Sequence, residues 1–363
     1  MSFVFGHSLV CNPMKNTILL FCILLMAACK SQNSGNVNNS SDETATSAIV
    51  AGATDYAKYI EAEQLKKHLY IIASDEMEGR KTGEKGQKMA AEYIKNFYIE
   101  NDVAPAIAEG EYFQNIPKSY FDSGRAKGLE ASENILGFVE GSEFPEEVIV
   151  VSAHYDHVGM DKDGNVFNGA DDDGSGTVAV MELARIFTKA KNEGNGPKRS
   201  ILFLHVTAEE VGLVGSRYYS ENPIFPLANT VANLNIDMIG RIDPNKKDSP
   251  DYIYLIGSDK LSQELHQVSE AVNRMYVNLE IDYTFNDEND PNRFYYRSDH
   301  YNFAKHGIPV IFYFNGVHED YHKITDTPDK IEYELMEKRS KLVFHTAWEL
   351  ANRKERIKVN ITE

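Results

Sequence analysis

From Asn134 onward the chain keeps repeating one pattern: a short apolar run rich in β-branched residues, followed by a helical stretch. The runs cover 134–139, 147–153, 200–206, 231–236, 252–256 and 309–314. Helical periodicity covers 174–190, 213–220 and 260–276, and a long amphipathic stretch over 331–352 closes the chain. Continuous apolar runs belong to strands buried on both faces. Strands that alternate with helices predict an α/β sandwich around a largely parallel sheet. Two further helices are expected over 57–73 and 86–99, with a loop at 78–83 between them. No repeat and no linker interrupts 56–358, so this stretch reads as one domain.

The chemistry-bearing residues fall just after the apolar runs. The run ending at Ala153 leads into His154-Tyr155-Asp156-His157, and the run ending near Thr207 leads into Glu209-Glu210. Ile236 is followed by Asp237, and the run ending at Phe314 is followed, after a loop, by Tyr321-His322. In open α/β sheets ligands bind outside the carboxyl ends of the strands, so four such ends are expected to converge on one site. Singly, each has a plainer role: a satisfied buried histidine, a solvated turn, a turn cap, loop surface. Jointly, their placement is a poor coincidence.

A fifth segment, Gly169-Ala170-Asp171-Asp172-Asp173-Gly174, precedes a helix. Acids at a helix start also suit the helix dipole. The upstream Asp161-Lys162-Asp163-Gly164-Asn165 looks like the start of a calcium loop, but it fails that pattern. Val166 stands where the sharp turn needs Gly, and Asp172 stands where a bidentate Glu is needed.

Histidine and carboxylate without thiolate suit zinc. The three cysteines, Cys11, Cys22 and Cys29, all lie in the first thirty residues, so the body has neither a disulfide framework nor a Cys-type zinc site. Two histidines with three or four acids exceed the needs of one catalytic zinc. They suit two ions about 3.5–4 Å apart that share a carboxylate and a water. One member of the pair Glu209-Glu210 would then be a ligand and the other a base.

The motifs, in order, are Ser152-Ala153-His154-Tyr155-Asp156-His157-Val158-Gly159, the 169–176 segment, Thr207-Ala208-Glu209-Glu210-Val211-Gly212, Asn235-Ile236-Asp237-Met238-Ile239-Gly240 and Asp320-Tyr321-His322. This ordered set, over about 60–355, resembles the co-catalytic zinc aminopeptidase family, which includes secreted bacterial leucyl-type aminopeptidases and, as relatives, glutaminyl cyclases. The resemblance implies a three-layer sandwich with a central, mostly parallel mixed sheet flanked by helices. It implies two zinc ions: His154 and Asp237 on one, Glu210 and His322 on the other, with Asp172 bridging. Glu209 would be the general base, Asp156 a carboxylate orienting His154, and Tyr321 a donor to the oxyanion. A cis peptide at Asp172–Asp173 is also implied. Arg297-Ser298-Asp299-His300 is similar to the family's stretch before the last ligand and is assigned to pocket wall, with no specific role. Tyr112 to Leu129 is too short for the protease-associated insert many relatives carry. The loop 282–296 is expected near the site.

The reaction this implies is hydrolysis at the free N-terminus of peptides. Three rivals share the motifs: a one-zinc glutaminyl cyclase, a non-catalytic surface lipoprotein that binds peptides, and a carboxypeptidase or dipeptidase. With 55 acidic against 37 basic residues, the chain lacks the cation excess of a nucleic-acid binder.

The start carries a different message. Met14-Lys15-Asn16 is a short basic segment, and 17–28 is an apolar stretch too short to span a bilayer. It runs into Met26-Ala27-Ala28-Cys29, which resembles a bacterial lipobox. The expectation is a signal segment over 1–29 with translation starting at Met14, and an exported envelope lipoprotein anchored at Cys29. Residues 30–55, rich in Ser, Asn and Thr, read as a flexible tether.

Overall fold

The computed structural model describes residues 52–360. The expected signal segment, lipobox Cys29 and most of the tether lie outside the described residues, and no helix within them is long and apolar enough to cross a membrane.

The helix expected over 57–73 is confined to 62–72, and a short helix precedes it. Helix α1 (Ala53–Ala57) ends before Ile60, Glu61 turns to extended backbone, and α2 (Ala62–Ile72) starts anew with its first N–H held by the Glu337 carboxylate at 2.7 Å. Ala53 is buried along with Tyr56 and Ala57, so the end of the 30–55 segment read as tether already packs on the body. Then follow α3 (Lys85–Glu100) and strands β1 (Ala104–Pro105), β2 (Phe113–Ile116), β3 (Ser132–Val139) and β4 (Phe144–His154). A small hairpin, β5 (Gly159–Met160) with β6 (Val166–Phe167), precedes α4 (Gly176–Asn192). The remainder is β7 (Arg199–Val206), α5 (Val214–Glu221), β8 (Thr230–Ile236), β9 (Tyr252–Ile256), α6 (Gln263–Val272), β10 (Glu280–Asp282), α7 (Tyr301–Ala304), β11 (Val310–Phe314) and α8 (Tyr333–Asn352). Helix α6 stops short of the expected 276. The chain widens into a looser turn there, Asn278 takes a left-handed φ of 58°, and the Asn273 side chain bonds both main-chain groups of Leu279.

The main sheet has nine strands in the order β1-β3-β7-β4-β8-β11-β9-β10, with β2 beside β3. The four central strands β7, β4, β8 and β11 are parallel, and antiparallel β3 and β9 flank them. Alternate residues feed two cores. Ile149, Val151, Ile201, Phe203, Leu234 and Ile311 pack under α2, α3, α4 and α8. Val148, Val150, Leu202, Leu204 and Val310 face Tyr219 of α5 and Phe303 of α7. The result is three layers, helix–sheet–helix, and the apolar runs are continuous because both faces are covered. Being parallel, β4, β7, β8 and β11 all deliver their carboxyl ends to one edge, and His154, Glu209-Glu210, Asp237 and the loop to His322 follow there.

Candidate metal centre

Asp172 lies at the middle of the site. His154 Nε2 is 3.2 Å from its Oδ1, and His322 Nε2 is 2.9 Å from its Oδ2. His154 Nε2 also lies 3.7 Å from Asp237 Oδ1 and 4.0 Å from Glu209 Oε2. On the other side, Glu210 meets His322 at 3.1 Å and His157 Nδ1 at 2.8 Å. Two groups of donor atoms, each mutually within 4.8 Å, therefore share Asp172: His154, Asp172 and Asp237, and His157, Asp172 and Glu210. Tyr321 stacks on the His322 ring and lines one cavity with Asp172, Glu209 and Asp237.

The triple acid shows why the middle residue faces the site. Asp171 spends its carboxylate on Gly240 N–H (2.6 Å), the Ser175 hydroxyl (3.0 Å) and His318 (3.1 Å). Asp173 accepts from the main-chain N–H groups of His154 (3.2 Å), Gly176 (2.9 Å) and Met238 (3.0 Å), tying β4, α4 and the end of β8 together. The Asp172–Asp173 peptide is cis, as the motif implied. Asp326 accepts the N–H groups of Asp171 and Asp172 from behind, at 3.0–3.2 Å.

Arg80, wholly buried, clamps the same segments. Its guanidinium donates to the carbonyls of Tyr155 (2.8 Å), Ile72 (2.9 Å), Asn168 (2.6 Å) and Gly169 (2.8 Å). Gly169 has φ +55°, and a Cβ there would come within 2.5 Å of the His157 ring, so this crossing requires glycine.

One expectation needs correction. The Asp156 carboxylate does not hold the His154 ring. His154 Nδ1 is 3.1 Å from the Asp156 main-chain carbonyl, while the carboxylate sits 3.8 Å away. That carboxylate instead accepts from the Thr82 hydroxyl at 2.9 Å and from Glu209 N–H at 3.1 Å. It thus anchors the Glu209 loop, because a main-chain carbonyl two residues from His154 reaches Nδ1 first. Ser298, left without a role by the sequence, donates to Asp237 Oδ2 at 2.6 Å and accepts from Asn235 at 2.9 Å, which leaves Asp237 Oδ1 facing His154. Asp320 fixes the last loop through Arg241 (2.9 Å), Thr325 (2.6 Å) and Lys330 (2.7 Å).

The electrostatics are those of an acid cluster short of positive charge. Among the described residues no lysine or arginine lies within ion-pair distance of Asp172, Glu209, Glu210 or Asp237. Burial, reinforced by Glu210, Asp237 and Asp299, pushes the Glu209 carboxyl well above its usual range. Burial opposes the ionised form of Asp172, yet the imidazoles of His154 and His322 beside it hold that carboxyl well below the usual range. Burial also opposes charge on His154, but Asp172 and Asp237 hold its imidazole well above the ordinary value. Burial, with four surrounding acids, raises the Tyr321 phenol, which therefore stays a proton donor.

Cations are the natural complement. His154 Nε2, His157 Nδ1, Asp172 Oδ2 and Glu210 Oε1 are all buried without a hydrogen-bond partner. Buried polar atoms rarely stay unpaired, and these orphans are imidazole nitrogens and carboxylate oxygens, the donor set of zinc.

The profile of peptidase family M28 matches residues 134–347, more than half of the chain. The chain is 29% identical over 283 residues to leupeptin-inactivating enzyme 1 of Streptomyces exfoliatus, a match that covers 77% of this chain and 54% of that protein. The chain thus spans about half the length of this curated relative. Among solved structures, the Legionella pneumophila LapA aminopeptidase superposes with a TM-score of 0.64 at 23% identity, covering 84% of this chain and 75% of that one. Bacteroides thetaiotaomicron glutaminyl cyclase superposes at 0.60 with 17% identity, covering 82% of this chain and 99% of that one. Such likeness shows the shared fold. The matched family profile and the motifs inside it together place this chain in peptidase family M28.

Proposed function

We propose that the chain is a two-zinc aminopeptidase acting on peptides whose first residue is apolar. The observation that carries the reading is the joining of two surfaces in one cavity. Asp172, Glu209 and Asp237 supply its acid lining and Met238, Phe294, Phe312, Phe314 and Val317 its apolar lining, with Arg297 and Tyr321 completing the cavity. The acid lining suits a cationic α-ammonium group, and the apolar lining suits the side chain next to it. Phe294 belongs to the stretch 282–296 expected near the site. His154 and Asp237 would hold one ion, Glu210 and His322 the other, with Asp172 between them. When bound, such ions act as Lewis acids on the scissile carbonyl and on the attacking water.

The protein's own groups do the rest. Glu209 takes the proton of the attacking water and passes it to the leaving amine. The Tyr321 hydroxyl donates to the carbonyl oxygen as negative charge gathers there. Asp156 keeps Glu209 in place by holding its main-chain N–H.

The test pairs zinc content of the purified protein with release of amino acids from free and N-terminally blocked peptides. Two zincs are expected, with cleavage of unblocked peptides alone and a preference of about tenfold or more for Leu or Phe over Asp at the first position. One zinc, no release and cyclisation of an N-terminal Gln would replace this reading with glutaminyl cyclase chemistry. Neither activity in a zinc-loaded protein would leave a peptide-binding surface protein.

We also propose that the protein is exported and anchored by lipid at Cys29. Cys29→Ser is expected to abolish incorporation of labelled fatty acid and to move the protein from the membrane to the soluble fraction. Unchanged labelling would overturn the anchor.

A further inference from the structure

We infer that His157 is a third imidazole ligand of the centre, holding the second cation together with Asp172, Glu210 and His322. The inference rests on the two-cation reading above and adds a residue to it.

The ring is 1% exposed, and neither of its nitrogens has a hydrogen-bond partner. Nδ1 lies 2.8 Å from Glu210 Oε1, yet both atoms count among the unpartnered ones, because the ring nitrogen and the carboxylate oxygen are not aligned for a hydrogen bond. Two orphaned atoms facing one region are what a shared cation would satisfy. Nδ1 also stands 3.9 Å from Asp172 Oδ2, a third orphan. Ligand bonds of about 2.0–2.2 Å around one zinc leave neighbouring donor atoms roughly 3–4 Å apart; the distance to Asp172 falls in that range and the distance to Glu210 just below it.

The ring is also fixed before any cation arrives. His157 N–H donates to the Arg80 carbonyl at 3.2 Å, and Lys81 and His157 form a parallel bridge. The ring lies against Gly169, where no side chain would fit. His322 differs: its side chain is 38% exposed, and it sits on a loop with left-handed φ of 55°. The two rings approach edge-on at 5.7 Å between centroids, and both reach the same carboxylates, Asp172 and Glu210. His157 thus offers a rigid, buried donor, and His322 a donor from the rim.

The test loads the purified full chain with cobalt(II) and counts hyperfine-shifted imidazole N–H protons by NMR, with calorimetric titration alongside. Three such signals are expected in the wild type, from His154, His157 and His322, and two in His157→Gln. The variant should bind the second cobalt about 100-fold or more weaker, beyond the 10–100-fold typical of a residue that only orients a ligand. Its first cobalt should bind as before. Two signals in the wild type, or a second cobalt held within tenfold by His157→Gln, would overturn the inference while leaving the two-cation reading intact. A wild type that binds a single cobalt would overturn both. Should His157→Gln fail to fold, the wild-type signal count decides alone.

Discussion

Glu209→Ala is expected to remove turnover while leaving the cation content unchanged. The adjacent acids have different surroundings. The Glu210 carboxylate is flanked by His157 at 2.8 Å and His322 at 3.1 Å, as a ligand would be. Among the described residues the Glu209 carboxylate has just the distant His154 at 4.0 Å as an ion-pair neighbour, and it lines the cavity with Tyr321. Its carboxyl is raised by burial and by neighbouring acids, so it holds a proton more readily than an ordinary glutamate. Loss of a positioned base costs about 10²–10⁴-fold in kcat. Steady-state kinetics with metal analysis on the same sample checks this. Activity within tenfold of wild type would remove Glu209 from the base role, and a lost zinc would make it a ligand instead.

The second large effect concerns stability. Arg80→Met is expected to cost on the order of 3–5 kcal/mol. The methionine fills part of the space, but the carbonyls of Ile72, Tyr155 and Asn168 lose the guanidinium donor, and that of Gly169 is left with Gly174 N–H. Each buried acceptor left unpaired costs about 1–3 kcal/mol. For a domain of this size the midpoint of thermal unfolding should fall by roughly 5–15 °C. Calorimetry on the metal-free protein isolates this effect from ion binding. A midpoint within 2 °C of wild type would show that water or a rearranged turn replaces the guanidinium.

The architecture was largely legible because its signals are local and strong. Strands with both faces covered, such as β4 and β7, show as unbroken apolar runs, and the residues that follow them mark the site edge. Helix α1 was hidden inside a polar stretch, since only Ala53, Tyr56 and Ala57 pack and no periodicity builds over five residues. The residues that support the centre were not legible, for a physical reason. Arg80 lies 74 residues before His154 in sequence, and Asp326 acts through main-chain N–H groups that no side-chain pattern reveals. His157 was visible as a second histidine in the motif after β4, but its orphaned nitrogens belong to three dimensions. Asp156 shows the reverse error: the residue matched, but its carbonyl and its carboxylate have different tasks.

The place of β11 in the sheet bears on how the polypeptide matures. This strand follows the other ten in sequence among the described residues, yet it lies between β8 and β9 and, among those residues, is the link through which β9 and β10 join the rest of the sheet. A nascent chain that ends before residue 310 therefore has two unjoined sheet fragments and an open β8 edge. It also lacks the loop that carries Tyr321 and His322. A nascent chain thus lacks the complete centre until β11 and the loop that follows it have been made.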